Sequence, residues 1–377
     1  MRKRIIILIL FFIPFLTIAQ KGKKIKIPTE CNEKLCNEQS SIWLPPGYYL
    51  TNAGLNKSQQ QEWTNRFNGF FSWIKEIYPT PIGSDGYWTC HATKGSFANE
   101  VKFSDNGDVG PMKTNPLLTF DFGLALYQYY CALQYPNTLL NGFPDGEFSN
   151  CGMLIDMNSL NGLLTDASFS TDNRFRIDGH PIKLKLPVVG RWKGYDVCKQ
   201  YGASLKDQGS QKYVLLTRPG MLPYIPVTRK QYLDIAIPYI TKFYDDEIAD
   251  ADKMADQQEK ERKKNIMLKS KSDDLKKYRD AFEESTKKGL LESPAIIEQG
   301  GDVTMMSDKP VFTTEEQGGN MLVTENPAYF KKDLPISVPQ FVVFTWWWGD
   351  SNSWRTRFKN ALEENFPIEK LQAMIDK

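Results

Sequence analysis

One stretch constrains the fold more than any other. Between Asp245 and Glu292 the chain places 14 acidic and 12 basic residues in 48 positions, with no proline and a single glycine. Such a segment holds too little apolar surface to build a core of its own, yet nothing inside it breaks a helix. As one continuous helix it would reach on the order of 70 Å. Leu268, Leu275 and Phe282 keep a seven-residue spacing, while residues 257–265, QQEKERKKN, carry no apolar seam. The expectation is a long charged helix or helical hairpin. A solvated arm is the first reading, a partner-binding coiled coil the second and disorder the third. In each case the globular body must be assembled from chain on both sides of the arm.

The body reads as mixed α+β with a β-rich middle. Ser58 and Gln61 have the spacing of a capping box, and Trp63, Phe67, Phe70, Ile74 and Ile77 then form one apolar stripe, predicting a packed helix that Pro79 and Pro81 end. The run Leu117 to Tyr135, rich in Leu, Phe and Tyr, is expected to be a buried helix. From Asn150 to Leu216 short apolar pieces alternate with Gly, Asn and Asp, and Ile182, Leu184 and Leu186 alternate with Lys183 and Lys185 as in a half-buried strand. Phe341 to Trp348 is the strongest strand in the chain. Both of its faces are apolar, which predicts a central strand covered on each side. Two amphipathic helices follow, lined by Trp354, Phe358 and Leu362 and by Leu371, Met374 and Ile375, with Pro367 in the first turn of the second. The expected division is a leader at 1–19, an N-terminal part of the body at 20–227, the helical arm at 228–292 and a returning C-terminal part at 293–377.

The leader rests on Arg2, Lys3 and Arg4, an apolar run from Ile5 to Ile18, and small residues Thr17 and Ala19 before a cut at Gln20. This is the layout of a signal peptide, and the run is shorter than the roughly 20 residues that span a bilayer. No second long apolar run occurs, so a cleaved chain has no transmembrane segment, and a secreted or periplasmic location is expected. Cleavage removes three of the 47 Lys and Arg, leaving 44 against 45 Asp and Glu, a balance that gives no case for nucleic acid as partner. In an exported chain the six cysteines, Cys31, Cys36, Cys90, Cys131, Cys151 and Cys198, are expected to form disulfides. Their spacing does not fit a zinc site.

Residues 214–233, VLLTRPGMLPYIPVTRKQYL, resemble a segment of uncharacterised exported proteins of Bacteroidota type, and the Thr-Ile-Ala-Gln end of the leader is similar to leaders in that group. The resemblance implies export and no activity. Local chemistry explains much of the segment. Pro219-Gly220 fits a type II turn, and Thr228 with Gln231 forms a capping box, flanked by Val227 and Tyr232 as a hydrophobic staple, so that a helix starts near Arg229.

Two candidate sites follow. The sequence FTWWWGDSNSW at 344–354 places Trp348 and Trp354 beside Asp350, Asn352 and Arg355, the aromatic and polar mixture of a sugar-binding platform, with burial in the core as the competing account. Ser351 of its Gly-Asp-Ser is poorly placed as a nucleophile because the chain has only His91 and His180, both far upstream, so a helix cap at Ser351 or Ser353 fits better. Arg218, Arg229 and Lys230 form the second candidate, an anion site at a helix start. The Asp-Asn-Gly-Asp at 105–108 lacks the remaining ligands of a calcium loop. No cofactor motif is present, and no spacing singles out a catalytic pair among the 45 Asp and Glu. The sequence therefore carries two readings: a non-enzymatic binding protein of the cell envelope, taking a glycan or protein partner through the Trp-rich end or the arm, or an extracytoplasmic hydrolase of glycan or peptide.

Overall fold

A computed structural model describes residues 33–50, 53–94, 117–131, 139–141, 151–167, 175–199, 210–298, 310–349 and 353–377. The leader, Cys31, residues 105–108, Asp350, Ser351 and Asn352 lie outside them, as do the side chains of Cys131 and Ser353. In chain order the elements begin with α1 (Glu33–Glu38), α2 (Lys57–Ile77), β1 (Ser84–Lys94), β2 (Leu118–Cys131), β3 (Leu139–Asn141), β4 (Cys151–Met157) and β5 (Leu164–Thr165). They continue with β6 (Arg176–Ile177), β7 (His180–Pro181), β8 (Lys183–Lys185), β9 (Val188–Trp192), β10 (Tyr195–Cys198), β11 (Ser210–Leu216) and β12 (Tyr224–Pro226). The charged stretch forms α3 (Arg229–Ala251) and α4 (Gln257–Lys287), and the chain closes with β13 (Ile296–Ile297), β14 (Asn320–Glu325), β15 (Val342–Trp348), α5 (Ser353–Asn365) and α6 (Ile368–Gln372). The fold is mixed α+β.

Two antiparallel sheets carry the architecture. The first runs β1-β2-β4-β15-β11-β10-β9, with β3 on β2; the second runs β12-β14-β8-β5, with β13 on β14. Three apolar clusters order the layers. Phe120, Phe122, Met153, Ile155, Phe344 and Trp346 on one face of the first sheet pack with Trp63, Phe67 and Phe70 of α2 and Trp354, Phe358 and Leu362 of α5. On its other face Tyr213 and Val343 meet Leu186 and Val323 of the second sheet. The far side of that sheet, with Leu184 and Leu322, packs with Tyr232, Leu233, Ile240 and Tyr244 of α3. The order is helices, sheet, sheet, helical hairpin.

The central strand is as expected. β15 pairs with β4 and β11, both from before the charged stretch, so the body is closed by chain from either side of it. The run from Leu117 is a correction, because it forms strand β2 rather than a helix. Phe120, Phe122, Leu124 and Leu126 alternate with Thr119, Asp121, Gly123 and Ala125, a period of two, and an interior glycine disfavours helix by roughly 1 kcal/mol. The first capping box also moves. Asn56 and Gln59 make it, two residues before the expected pair: the Asn56 side chain accepts from Gln59 N–H and the Gln59 side chain from Asn56 N–H. The second box is where it was predicted, at Thr228 and Gln231. Gly220 takes φ 72° and Met221 N–H donates to the Arg218 carbonyl, closing the Pro-Gly turn.

The disulfide framework is not found among the described residues. Cys36, Cys90, Cys151 and Cys198 are all buried, and no two of them are joined. Cys90 on β1 and Cys151 on β4 have all of β2 between them and are offset by four residues in register, a separation well over roughly 10 Å at ordinary strand spacing and too wide for a bridge. Cys198 belongs to the cluster on the opposite face. Burial pushes the Cys90 thiol up to about 12, so it is an inert core group.

The charged stretch is a hairpin. Lys271 with Asp245 at 2.5 Å, Lys263 with Glu247 at 3.1 Å and Lys264 with Asp252 at 3.1 Å run along its antiparallel seam. The expected seam holds in part: Leu275 and Phe282 are partly buried against the core, Leu268 is 52% exposed, and the fully buried positions of α4 are Met267, Asp274, Tyr278 and Ser285. The seam is polar because it faces two tyrosines. Tyr244 donates to Asp274 Oδ2 at 2.5 Å, and the hydroxyls of Tyr232 and Tyr278 are 3.2 Å apart. Replacing Tyr244→Phe is expected to destabilise the protein by about 1–3 kcal/mol, since the Asp274 carboxyl would lose a buried donor. Urea unfolding followed by circular dichroism measures this, and an unchanged midpoint would show that the contact does not hold the hairpin.

Candidate functional site

Both histidines of the chain sit against carboxylates. His180 Nδ1 lies 3.7 Å from Glu325, whose carboxyl burial pushes up to about 7. His91 Nδ1 lies 2.9 Å from Asp121 Oδ2. The second pair belongs to a larger arrangement. His91 opposes Asp121 across β1 and β2, Asp121 opposes Asp156 across β2 and β4, and Asp156 opposes Val343 on β15. Directly opposed residues share a sheet face, so His91, Asp121 and Asp156 form one polar row. Their neighbours in sequence, Cys90, Phe122 and Ile155, point into the core on the other face.

This row occupies the part of the first sheet beside the cover given by the second. Val343 and Tyr213 are already under that cover, and Asp156 stands at its margin, 8% exposed. Asp121 and His91 are progressively more open, and the His91 ring lies 5.2 Å from that of Tyr49. One register step from Asp156 and Val343, Thr345 opposes both Leu154 and Tyr213. Thr345 is 2% exposed and its hydroxyl has no hydrogen-bonding partner among the described residues. Trp347, on the same face, lies over Gly152, where an added Cβ would come within 2.5 Å of the indole.

The charges of this face are coupled. Burial first, and the Asp121 charge second, push the Asp156 carboxyl up to about 8. The hydrogen bond to Asp121 raises His91, with burial opposing it. Burial and the nearby Asp156 together push the Tyr213 hydroxyl up to about 12. Asp156 is thus held toward its protonated form beside Asp121. Among the described residues no group of three or more His, Cys, Asp or Glu is arranged to hold a metal ion.

The sites expected from sequence are placed differently. Trp354 is 0% exposed and Trp348 8%, so neither presents an open platform. Trp348 lies between Lys212 at 5.1 Å and Lys359 at 5.2 Å from its ring centre. Both lysines bind Glu363, which also accepts from Trp346 Nε1 at 2.9 Å. Burial pushes the Glu363 carboxyl up, but these three donors outweigh it and hold the group below its ordinary range. Arg355 donates to Gln128 and lies over Trp354, while Asp350 and Asn352 are outside the described residues. Trp346, Trp348 and Trp354 are thus a cation-lined part of the core.

The three cations of the anion site are engaged separately. Arg218 lies 4.0 Å over the Tyr329 ring, with Gln340 and Asp376 beside it; Arg229 lies 4.6 Å over Phe312; Lys230 pairs with Asp234 at 2.6 Å. The first amides of α3 are occupied by the chain itself. Arg229 N–H donates to the Ser293 carbonyl and Lys230 N–H to that of Leu291, both at 2.9 Å, while Gln231 N–H donates to Thr228. The donors that would receive an anion are satisfied, which also explains how two cations are tolerated at this helix start. A shallow open groove on α4, lined by Leu268, Leu275, Lys276, Arg279 and Asp280 among others, pairs its own charges, as Lys276 does with Asp280.

His91, Asp121, Asp156, Tyr213 and Thr345 were not selected from sequence. The available signal was a lone aspartate inside an apolar run, FDF at 120–122 and LIDM at 154–157, but it becomes legible only once both runs are strands.

Asp156 predicts a pH dependence. Its folded pKa lies above the ordinary carboxyl value, so its contribution to stability is complete below about pH 4 and is lost as pH rises through about 8. The fall is expected to be on the order of a few kcal/mol. Asp156→Asn should flatten it, as thermal unfolding between about pH 5 and about pH 9 will measure; an equal slope in the variant would contradict the assignment. No protein-family model matches this chain, and no match is found among the curated proteins or the solved structures.

Proposed function

We propose that the protein is exported and binds a polar ligand of the cell envelope, and that the face formed by His91, Asp121, Asp156 and Thr345 is its contact surface. Export is supported by the basic and apolar leader that ends at Ala19. Among the described residues no helix is long and apolar enough to cross a membrane.

The observation that carries the reading is the buried hydroxyl of Thr345, left without a partner among the described residues and diagonal to Asp156 on the same sheet face. Buried polar groups are ordinarily satisfied, so an unfilled donor on the same face as the buried Asp156 carboxyl supports a place kept for another molecule. The face offers acceptors at Asp121, a proton-bearing group at Asp156, the His91 ring, and an apolar wall in partly exposed Trp347. Ligands that present donors and acceptors beside an apolar surface, as glycans and peptides do, suit such a mixture.

Calorimetric titration of the purified protein with soluble peptidoglycan fragments and with unstructured peptides tests the proposal. Binding of one probe is expected, with affinity reduced at least about 10-fold by Asp121→Asn or Asp156→Asn, the scale of one hydrogen bond to a charged group. An affinity unchanged in the double variant, or no binding to any probe, would remove this face as the contact surface. N-terminal sequencing of protein recovered from outside the cytoplasm is expected to begin at Gln20, and an intact Met1 would overturn the export reading.

A further inference from the structure

We propose that Asp121 and Asp156 act together as a dyad that hydrolyses peptide bonds in a chain held on this face. The proposal rests on that face being the ligand-binding surface.

The register carries the argument. Asp121 and Asp156 are directly opposed on neighbouring antiparallel strands and project from the same side of the sheet. Side chains in that relation have Cβ atoms about 4.5–5.5 Å apart, so both carboxyls meet an incoming group from one side. A glycosidase instead needs its two carboxyls on either side of the scissile bond. Two adjacent carboxyls, one of them holding a proton, suit attack of water on a planar carbonyl. Independent of the acids, the unpartnered Thr345 hydroxyl lies buried and diagonal to Asp156 on the same face, a polar atom of the site that the described residues leave unsatisfied. His91 is a positioning residue, which fixes the Asp121 carboxylate through Oδ2 and leaves Oδ1 for water.

The chemistry balances. Asp121 takes one proton from water as the water oxygen bonds to the amide carbon, and Asp156 gives its proton to the carbonyl oxygen, forming a neutral gem-diol. On collapse the C–N bond breaks, the proton on Asp121 passes to the amine nitrogen, and one gem-diol hydroxyl returns a proton to Asp156. A carboxylic acid and an amine leave, and both aspartates are restored.

The test is to incubate the full chain with an unfolded polypeptide in water enriched in heavy oxygen and to read the products by mass spectrometry, with glycan strands as a parallel substrate. New peptide termini carrying one heavy oxygen are expected, formed at least about 100-fold more slowly by Asp121→Asn and by Asp156→Asn. Peptide binding without new termini would overturn the dyad and leave the binding surface standing, whereas loss of both would remove the two together. Cleavage of glycan rather than peptide, or wild-type rates in either variant, would also overturn it. Should Asp156→Asn unfold, the more exposed Asp121→Asn decides the matter, with its thermal midpoint as the control.

Discussion

Burial of Val342–Trp348 on both faces is the constraint on which the molecule depends. A strand with Phe344 and Trp346 on one side and Val343 and Thr345 on the other cannot be exposed anywhere without losing the transfer energy of large apolar groups, about 25 cal/mol per Å² of surface. It therefore requires a neighbour on each edge and a layer on each face. β4 and β11 fill the edges, α5 with α2 the first face, and the second sheet the other. The three tryptophans divide accordingly: Trp346 and Trp348 go to the helical side, and Trp347 to the side that carries the polar row.

The hairpin illustrates how a highly charged stretch can still be fixed in place. Its solvent side is laced by pairs such as Lys242–Asp246 and Arg262–Glu259, each worth little in water. Stability comes from the inward face of α3, where Tyr232, Leu233, Ile240 and Tyr244 are buried against the second sheet. The polar contacts along α4 add register rather than affinity, because Asp274 meets its tyrosine in only one alignment of the two helices.

Legibility in the sequence followed the strength of the local pattern. The central strand, the capping box at Thr228, the Pro219-Gly220 turn and the stripe on α5 were readable because each is written within a few residues. β2 was not, since its outward positions include Gly123 and Ala125, which blur the alternation that would mark a strand. The spacing at 268, 275 and 282 was legible in part: Leu275 and Phe282 pack against the core beside Tyr278, and only Leu268 is left exposed. The polar row lay beyond sequence altogether. Positions 91, 121, 156 and 345 are brought together by pairings across β1, β2, β4 and β15, and no local spacing encodes those pairings.

Two buried aspartates show why the polar row is read as functional and the hairpin is not. Asp274 is 6% exposed and receives a hydrogen bond from Tyr244, an arrangement that fixes helix register. Asp156 is almost as buried, but the influences on it are removal from water and the negative charge of Asp121, and both disfavour its ionised form. An apolar residue between Ile155 and Met157 would suit the fold better, since an uncompensated buried acid lowers stability. Such a cost, retained beside a second carboxyl and a histidine, is the kind of perturbation that accompanies acid–base sites, and it supports the role proposed for this face. Glu363, like Asp274, has donors that offset its burial, whereas the influences acting on Asp156 all oppose its charge, and that difference sets the polar row apart from the Trp-rich core and from the hairpin.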